Sequence, residues 1–358
     1  MMRKSFLFIG SLPTKKFYFD GERNKSRDVL NALRNKYGKK CSVVNLSLNQ
    51  YVQVIKMIFL SIFFKYDFIF VSKCLVGGSK AIKYLQKFAN KSNKHRIVFY
   101  LIGNGSNGFD DKVIHYDYVK HVRHIIVESP DVELELISKK IVTKESISIV
   151  PCLKPNYLIE PVEKEYPVKT LKLIFFSRVT ELKGVMDAIT AVSNINEKFG
   201  KNMFELDIAG GSGFDEKEQM FLREVKQIAN QKSFVNYLGL DLRIEGEESY
   251  KRLQSYDLHV FPSRFYQECA PGSIIDMFIA GVPTLSSDFP SAKYLMNKDN
   301  SFFFKMNNIA DLERQLLFIY NNQTALNKMR IESHNNAELY SETHFINELE
   351  MILERMKK

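Results

Sequence analysis

The sequence is poor in cysteine and has no cysteine arrangement typical of a metal site or a disulfide framework. Its four cysteines, Cys41, Cys74, Cys152 and Cys269, stand far apart, without a C-x-x-C pair or a zinc-like His and Cys spacing. Such usage predicts neither bound zinc nor structural disulfides, and it is typical of proteins kept in a reducing cytoplasm.

Long apolar segments are also lacking. The longest, residues 51–64, is interrupted by Gln53 and Lys56 and falls short of the ~20 residues that cross a bilayer. At the N-terminus, two basic residues precede the run FLFIG, which is too short for the apolar core of a signal peptide. We therefore predict no transmembrane helix and no export, and we interpret FLFIG as a core strand.

No low-complexity tract or close internal repeat is visible, and the composition of 45% hydrophobic and 26% charged residues is ordinary for a globular protein. Disorder is therefore not expected. At 358 residues, the chain exceeds the ~250–300 residues that one hydrophobic core usually holds, which predicts two domains.

Positive charge is concentrated in the first half of the chain. Residues 1–150 carry 26 Lys and Arg against 12 Asp and Glu, a net charge of +14, whereas residues 151–358 carry 25 against 29, a net charge of −4. A basic half suits nucleic acid, anionic lipid head groups or a phosphorylated acceptor, or is simply a well-solvated surface. The dispersed basic residues, without a recognised binding module, argue against nucleic acid.

Short apolar runs alternate with helical segments throughout the first half, which predicts a parallel sheet covered on both faces. The predicted strands are residues 5–10, 41–46, 67–72, 96–103, 124–129 and 146–151, and the predicted helices are 24–37, 50–64, 78–90 and one begun by Ser129-Pro130-Asp131. We predict a doubly wound α/β domain.

The alternation restarts after residues 152–168, a proline-containing stretch without periodic pattern that we interpret as a linker. The predicted strands are then 171–177, 204–210, 234–239, 258–263 and 282–287, and the predicted helices are 183–198, 215–230, 247–255, 272–280 and 341–358. Two similar α/β domains therefore follow one another.

Polar residues that follow strands are the candidate site, because ligands of open α/β sheets lie at the carboxyl ends of the strands. In FFSRVTELKGV, Arg178 offers a planar fork to phosphate and Lys183 a point charge near a predicted helix start, so a diphosphate is the expected ligand. The alternative is a pair of exposed surface cations.

Two further loops give weaker signals. Gly210 belongs to a glycine-rich turn, residues 209–213, that would let a ligand approach the backbone, although such turns are often structural. The loop 239–243 follows another strand and is a candidate contact for a flat base, or else a simple connection.

The richest segment is FPSRFYQECAPGSIIDMFIAGVP, residues 261–283. Gly272 and Ser273 open a predicted helix whose free N–H groups would bind phosphate or sugar hydroxyls. Glu268 precedes this helix and Asp276 lies in its early turns. Paired carboxylates are also used in glycoside hydrolysis, and Asp276 alone would suit the positive end of the helix dipole.

These four loops, in this order and spacing, resemble those of family 4 glycosyltransferases, which are retaining enzymes of the GT-B fold. The matching strings are LIFFSRVTELKGV, ELDIAGGSG, YLG, and SYDLHVFPS with Glu268, PGS, Asp276 and IAGVPTLSS, within about residues 171–320. The first half matches loosely, through FIGSLP, YDFIFVS and the VESPDVELELIS and SISIVP segments.

The resemblance implies two doubly wound, Rossmann-like domains that face a cleft. Residues 1–155 would be the acceptor domain and 156–340 the nucleotide-sugar domain, with helix 341–358 returning to the first. It also implies that Arg178 and Lys183 bind the donor diphosphate in place of a metal, so that no cofactor is needed, and that Glu268 lies beside the donor sugar. Asp276 stands where relatives have a ribose-binding Glu, one methylene longer.

The first half departs further from the family. Many relatives have a His after the fourth strand, where this chain has LIGNGSNG, so Asn104 would supply a hydrogen bond but no base. Gly10 would let the first loop approach the diphosphate, and Asn24 or Lys25 in residues 20–26 would contact the acceptor.

The resemblance implies transfer of a hexose-type sugar from a nucleotide sugar, with a UDP-sugar favoured, to a lipid-linked or other glycan acceptor of capsule, exopolysaccharide or O-antigen synthesis. Such an enzyme would work at the inner, anionic face of the cell membrane. For helix 50–64, burial against the sheet is favoured over membrane contact. The alternatives are a nucleotide-sugar epimerase and a catalytically silent module that stabilises a partner transferase.

Overall fold

The structure is a computed structural model that describes residues 4–14, 21–38, 41–105, 111–155, 157, 159–213, 215–242, 244 and 246–356. Two compact units share the chain. Unit 1 comprises Met1–Asn156 with Leu339–Lys358, and unit 2 comprises Tyr157–Glu338.

The strands and helices of the described residues alternate in each unit. The strands are β1 (Phe6–Gly10), β2 (Cys41–Asn45), β3 (Phe68–Lys73), β4 (Ile97–Leu101), β5 (His124–Val127), β6 (Ile147–Ile149), β7 (Leu171–Phe176), β8 (Phe204–Ala209), β9 (Val235–Gly239), β10 (Leu258–Phe261), β11 (Thr284–Ser287) and β12 (Ser301–Phe304). The helices are α1 (Gly21–Tyr37), α2 (Gln50–Phe63), α3 (Leu75–Phe88), α4 (Lys91–Lys94), α5 (Tyr116–Val119), α6 (Pro130–Ser138), α7 (Val185–Phe199), α8 (Glu216–Gln231), α9 (Glu247–Leu253), α10 (Gly272–Ala280), α11 (Ala292–Leu295), α12 (Ile309–Asn321), α13 (Ala325–Asn336) and α14 (Glu342–Arg355).

Each unit is built on a parallel six-stranded sheet, whereas the sequence predicted six strands for the first unit and five for the second. The strand order is β2-β1-β3-β4-β5-β6 in unit 1 and β12-β11-β10-β7-β8-β9 in unit 2. Parallel pairing requires crossover helices that cover both faces of a sheet, which is why its strands are almost continuously apolar. The five residues of β1 and of β4 are all buried.

The core of unit 1 is rich in aromatic side chains. The rings of Phe6 and Phe68 on neighbouring strands stack with centroids 5.4 Å apart. From α14, Phe345 packs edge-on against Tyr100 at 5.7 Å, and Glu350 accepts a hydrogen bond from Lys4 at 2.6 Å. The C-terminal helix therefore completes the core of unit 1.

Several element boundaries differ from the prediction for local reasons. Helix α3 begins at Leu75 instead of residue 78, so Gly77 and Gly78 lie inside it. Gly78 lies against the Phe99 ring, where an added Cβ would come within 2.4 Å of it, so this glycine allows close packing inside a helix. Strand β12 and helices α4, α5, α11, α12 and α13 were not predicted.

The favoured prediction that helix 50–64 is buried was wrong. Helix α2 buries Gln53, Met57 and Ser61 and exposes its large apolar side chains, including Tyr51 at 84% and Phe63 at 68%. No helix in the described part of the chain is long and apolar enough to cross a membrane.

Candidate active site

The direction of strand addition changes once within the sheet of unit 2. The chain places β8 and β9 on one side of β7 and then returns to place β10 on the other side. Ligands of open α/β sheets bind beyond the carboxyl ends of the strands at such a switch point. The loops after β7 and β10 carry Arg178, Lys183 and Glu268, so the fold gathers the three predicted catalytic residues at one edge.

The loop after β7 is held close to the loop after β10. Residues Glu181–Lys183 form a 3-10 turn, and Gly184 follows with a φ of 71°. A Cβ on Gly184 would lie 1.9 Å from the carbonyl oxygen of Pro262, so only glycine permits this approach. Lys183 therefore precedes α7 by a turn residue instead of opening the helix as predicted.

Lys183 and Glu268 form an ion pair across the switch point. The ammonium group of Lys183 contacts Glu268 Oε1 and lies 5.4 Å from the centroid of the Phe261 ring. Ser263 Oγ donates a second hydrogen bond to the same oxygen at 2.7 Å. Glu268 is 7% exposed, and its Oε2 has no hydrogen-bond partner among the described residues.

Arg178 is arranged differently from Lys183. It is exposed at the end of the β7 loop, and its guanidinium has no ion-pair or hydrogen-bond partner in the described part of the chain. The site therefore combines a paired cation with an open one.

A second ion pair fixes the loop that carries Glu268. Arg264 Nε donates to Asp187 Oδ2 at 2.8 Å, and this hydrogen bonding raises the pKa of Arg264. The backbone N–H of Arg264 also donates to the carbonyl of Leu182 at 2.8 Å. Because Asp187 lies in the first turn of α7, these bonds tie together the two loops that carry Lys183 and Glu268.

The glycine-rich turn after β8 packs on the β7 loop. Gly210 has a φ of 151°, and a Cβ there would lie 1.8 Å from the carbonyl oxygen of Ser177. The N–H of Gly210 donates to the carbonyl of Gly239 at 2.7 Å, and that of Val179 donates to Gly211 at 2.8 Å. Gly210 thus joins three loop ends, and residue 243 of the predicted base-contact loop lies outside the described residues.

Helix α10 begins without a side-chain cap among the described residues. Gly272 and Ser273 are half-buried in its first turn, so its orphan N–H groups remain suited to an anion or a hydroxyl. Asp276 is 4% exposed, and its Oδ1 accepts a hydrogen bond from Tyr250 at 2.8 Å. Tyr250 of α9 therefore holds the carboxylate that was predicted to meet ribose.

The sheet of unit 1 has its own switch point, between β1 and β3. Lys73 ends β3 and donates to Ser11 Oγ, just after β1, at 2.7 Å, and it also pairs with Glu22 of α1. Gly10 is buried, and a Cβ there would lie 2.9 Å from the carbonyl oxygen of Ser72. Close packing between strands is thus a sufficient reason for glycine at this position.

A buried carboxylate organises the predicted acceptor residues. Glu128 is fully buried and accepts from Lys25 at 2.8 Å through both oxygens. It also accepts from Tyr100 at 3.1 Å and from the N–H of Gly103 at 2.9 Å. Lys25 and the loop that contains Asn104 are therefore linked through one residue.

Asn24 and Asn104 are the other two residues that were predicted on the acceptor side. The buried Oδ1 of Asn24 has no partner among the described residues. Asn104 is half-buried, and residues 106–108 of its segment lie outside the described residues, as does residue 20 of the 20–26 segment. No group of three or more His, Cys, Asp or Glu that could hold a metal occurs in the described ranges.

Comparison with known families decides how this site is classified. A family model described as glycosyl transferases group 1 matches residues 159–337, which is half of the 358-residue chain. The chain belongs to this family. The match covers the four predicted loops of unit 2. No curated protein sequence matches the chain significantly.

Solved structures share this fold over nearly the full length of the given chain. HepE from Anabaena, solved in complex with UDP and glucose, superposes with a TM-score of 0.73 at 13% identity and covers 98% of this chain and 100% of its own. Sucrose-phosphate synthase from Thermosynechococcus elongatus gives 0.76 at 12% identity, with 99% of each chain covered. A glycosyltransferase from Rickettsia africae gives 0.70 at 13%, also with 99% of each. The fold is GT-B.

Three kinds of site residue were missed from the sequence. Ser263, Arg264 and Asp187 fix the paired loops, Tyr250 holds Asp276, and Glu128 and Lys73 organise the edge of the first sheet. Ser263 ends the predicted strand 258–263 and Arg264 directly follows it, so the sequence could have indicated them as site residues. Tyr250 and Glu128 lie 26 and 103 positions from their partners, so their roles depend on the fold.

Proposed function

We propose that this glycosyltransferase is a retaining, metal-independent enzyme that transfers a hexose-type sugar from a UDP-sugar to a lipid-linked glycan acceptor. Its pathway would be synthesis of a bacterial surface polysaccharide on the cytoplasmic face of the membrane. The observation that supports the proposal best is the arrangement of Lys183, Glu268 and exposed Arg178 at the switch point of unit 2.

The two cations have the chemistry that a departing nucleoside diphosphate requires. Negative charge accumulates on the diphosphate as the bond from the sugar C1 to the phosphate oxygen breaks. Cations fixed before reaction stabilise that charge without reorganisation. Arg178 offers a planar donor fork and Lys183 a point charge, and the uncapped start of α10 at Gly272 adds N–H donors.

Glu268 is suited to hold the transferred sugar. Both of its observed hydrogen bonds use Oε1, and Oε2 would accept a bond from a sugar hydroxyl. Ser263 and Lys183 fix the carboxylate before the sugar binds. We assign the orientation of the donor sugar to Glu268, and that of ribose to Asp276 held by Tyr250.

Retention of configuration follows when the acceptor attacks on the face that the diphosphate leaves. The acceptor oxygen bonds to C1 as the bond from C1 to the phosphate oxygen breaks, and the acceptor proton passes to an oxygen of the departing UDP. This route uses the donor phosphate as the base. It is compatible with Asn104, which cannot accept the proton as a catalytic base.

The preference for UDP is supported by the relative HepE, which was solved with UDP-glucose at 13% identity to this chain. The acceptor assignment is supported by the basic composition of residues 1–150, which suits an anionic membrane or a phosphorylated lipid carrier. Within unit 1, Lys25 held by Glu128 is the cation that we assign to the acceptor, together with Asn24 and Asn104.

The proposal is tested with a panel of UDP, GDP and dTDP sugars. Thermal-shift titration should show stabilisation by UDP-sugars first, and a radiolabelled assay with membrane lipid extracts should show transfer that persists in EDTA. Nuclear magnetic resonance of the product should show the anomeric configuration of the donor. Stabilisation by no nucleotide would refute the donor site, and an epimerised donor sugar formed without acceptor would indicate epimerisation.

A further inference from the structure

Helix α2 exposes most of its large apolar side chains and buries two polar ones, which is the opposite of a typical surface helix of a globular protein. Its inward face consists of Gln53, Met57 and Ser61, all buried. Its outward face carries large apolar side chains, and these, with Phe64 just beyond the helix, are Tyr51, Val52, Ile55, Phe59, Ile62, Phe63 and Phe64, each 38–84% exposed. We call these seven residues the α2 face.

Helical spacing places the α2 face on one continuous stripe. Tyr51, Ile55, Phe59 and Phe63 follow one another at intervals of four residues, so they line up along one side of a helix. The ring of Phe59 lies 4.8 Å from that of Phe63 and 6.3 Å from that of Phe64. The exposed rings therefore form a contiguous patch, and exposed patches of this kind mark interaction sites.

Hydrogen bonds from two asparagine side chains hold the C-terminal end of α2. Asn93 Nδ2 donates to the carbonyls of Ser61 at 2.9 Å and Phe64 at 2.7 Å, and Asn90 Nδ2 donates to Ser61 at 3.0 Å and Phe64 at 3.1 Å. These bonds satisfy carbonyls that a helix end leaves unpaired. The helix cannot turn its apolar side inward without breaking them and exposing Met57.

The surroundings of the α2 face are basic. From residue 50 to residue 96 the sequence has nine Lys and Arg and a single acid, Asp67, whose Oδ2 accepts from Ser5 N at 2.7 Å and Ser5 Oγ at 3.0 Å. The lysines Lys56, Lys65, Lys80, Lys87 and Lys91 are exposed on or next to α2, α3 and α4. A partner that covers this region must be apolar at its centre and anionic around it.

We propose that the α2 face docks unit 1 on a bilayer that contains anionic lipid, with its aromatic and aliphatic side chains below the head groups and the lysines against the lipid phosphates. Helices with an apolar face and a lysine-rich rim lie in the membrane interface in this way. If the partner were a second copy of the chain, the nine basic residues of one copy would lie against the same nine of the other. This repulsion disfavours a dimer, so an anionic bilayer is the better partner. This inference specifies the membrane side of the proposed function, although its observations do not depend on the sugar reaction.

The absence of tryptophan from the sequence allows a direct test. Phe63→Trp introduces a single indole into the α2 face of the whole 358-residue chain. With vesicles of phosphatidylglycerol and phosphatidylcholine, its emission should shift to the blue and be quenched by brominated acyl chains. The matched control is Phe199→Trp in unit 2, at a position that is 47% exposed and next to Lys198, where neither change is expected.

Sedimentation with the same vesicles measures the energetic contribution of the α2 face. Replacing Ile55 and Phe59 together by serine should reduce partitioning by about 100-fold, roughly tenfold for each buried side chain. Lys56→Glu should reduce it by about tenfold, whereas Lys328→Glu, an exposed lysine of unit 2, should leave it unchanged. Vesicles of pure phosphatidylcholine should bind weakly.

Three results would overturn the inference. The first is an indole at position 63 whose emission shows that it stays in water when anionic vesicles are added. The second is vesicle partitioning that the double serine variant leaves unchanged. The third is a dimer, detected by light scattering, that the double serine variant dissociates. UDP-sugar binding, followed in parallel, keeps the two proposals separate. Vesicle binding without nucleotide binding would refute the proposed function alone, and nucleotide binding without vesicle binding would refute the docking surface alone.

Discussion

Glu268 accepts two hydrogen bonds on one carboxylate oxygen, from Lys183 and from Ser263. The ion pair neutralises Lys183 in the absence of a donor substrate and fixes the side chain of Glu268. In the proposed function, a bound diphosphate would share Lys183 with Glu268. The same carboxylate would then affect both the affinity for nucleotide and the position of the sugar.

Glu268→Gln should separate these two effects. Glutamine keeps the shape of the side chain but removes the charge that neutralises Lys183, so UDP should bind at least as tightly as before. Sugar transfer should fall by about 10²–10³, the usual effect of losing one preorganised polar group. Isothermal titration with UDP and the initial rate of transfer measure the two quantities.

Two variants control this prediction. Lys183→Ala should weaken UDP binding as well as transfer, because it removes the cation itself. Glu197→Gln breaks the surface ion pair with Lys232, whose atoms lie 3.0 Å apart, and should change neither. Near-normal transfer in Glu268→Gln, or UDP binding in this variant that is weaker than in the parent protein, would contradict the role assigned to the ion pair.

Tyr250→Phe should raise the KM for the donor by about tenfold. The substitution leaves the buried carboxylate of Asp276 without its tyrosine donor, and an unmet hydrogen bond of this kind costs about 1–3 kcal/mol. Tyr256→Phe is the matched control, since its hydroxyl donates to Asp207 at 2.7 Å. Both variants should lose stability, and a rise in KM in both would show that Asp276 has no special role in donor binding.

The parts of the fold that the sequence predicted are those that local pattern determines. Apolar runs such as those of β1 and β4 are buried on both faces, so composition alone indicates them. Ser129-Pro130 correctly marked the start of α6. The start of α3 was predicted three residues too late, and Gly78 inside this helix allows close packing against Phe99.

Helix α2 shows why burial could not be predicted in the same way. An apolar stripe normally faces the core, and the sequence gives no sign that Gln53 and Ser61 face inward instead. The side that packs is decided by tertiary contacts, including those that Asn90 and Asn93 make with its C-terminal carbonyls. Within the site, the resemblance predicted Lys183 and Glu268, but their ion pair joins residues 85 positions apart and depends on the tertiary fold.

Gly210→Ala should disrupt the junction of the three loops after β7, β8 and β9. A methyl group would lie 1.8 Å from the carbonyl oxygen of Ser177, at a φ of 151°. Differential scanning fluorimetry should show a loss above the ~1 kcal/mol typical of an unfavourable backbone conformation alone, with weaker UDP binding. Gly200→Ala, at a φ of 62° with no atom within 4 Å of the added Cβ, should cost about 1 kcal/mol without affecting UDP. Equal effects of the two variants would exclude a role for the loop junction.

Stability should fall as the pH drops below about 6.5, because two buried histidines resist protonation in the folded chain. Burial lowers the pKa of His259 to about 3, and burial with the charges of Arg355 and Arg123 lowers that of His124 to about 4. The unfolded chain binds protons near pH 6.5 and the folded chain does not. Each histidine should therefore cost about 2 kcal/mol of stability at pH 5 relative to pH 7, by proton linkage.

His259→Asn and His124→Gln test this linkage residue by residue. At position 259, asparagine places a polar atom near the position of His259 Nδ1, which lies 3.2 Å from Thr284 Oγ1. At position 124, glutamine places a polar atom near the position of His124 Nε2, which lies 2.9 Å from Ser148 Oγ. In chemical denaturation at pH 7 and pH 5, each variant should lose less stability on acidification than the parent. The exposed His95→Gln serves as control and should match the parent. A parent protein equally stable at both pH values would show that neither histidine is protonated on unfolding in this range.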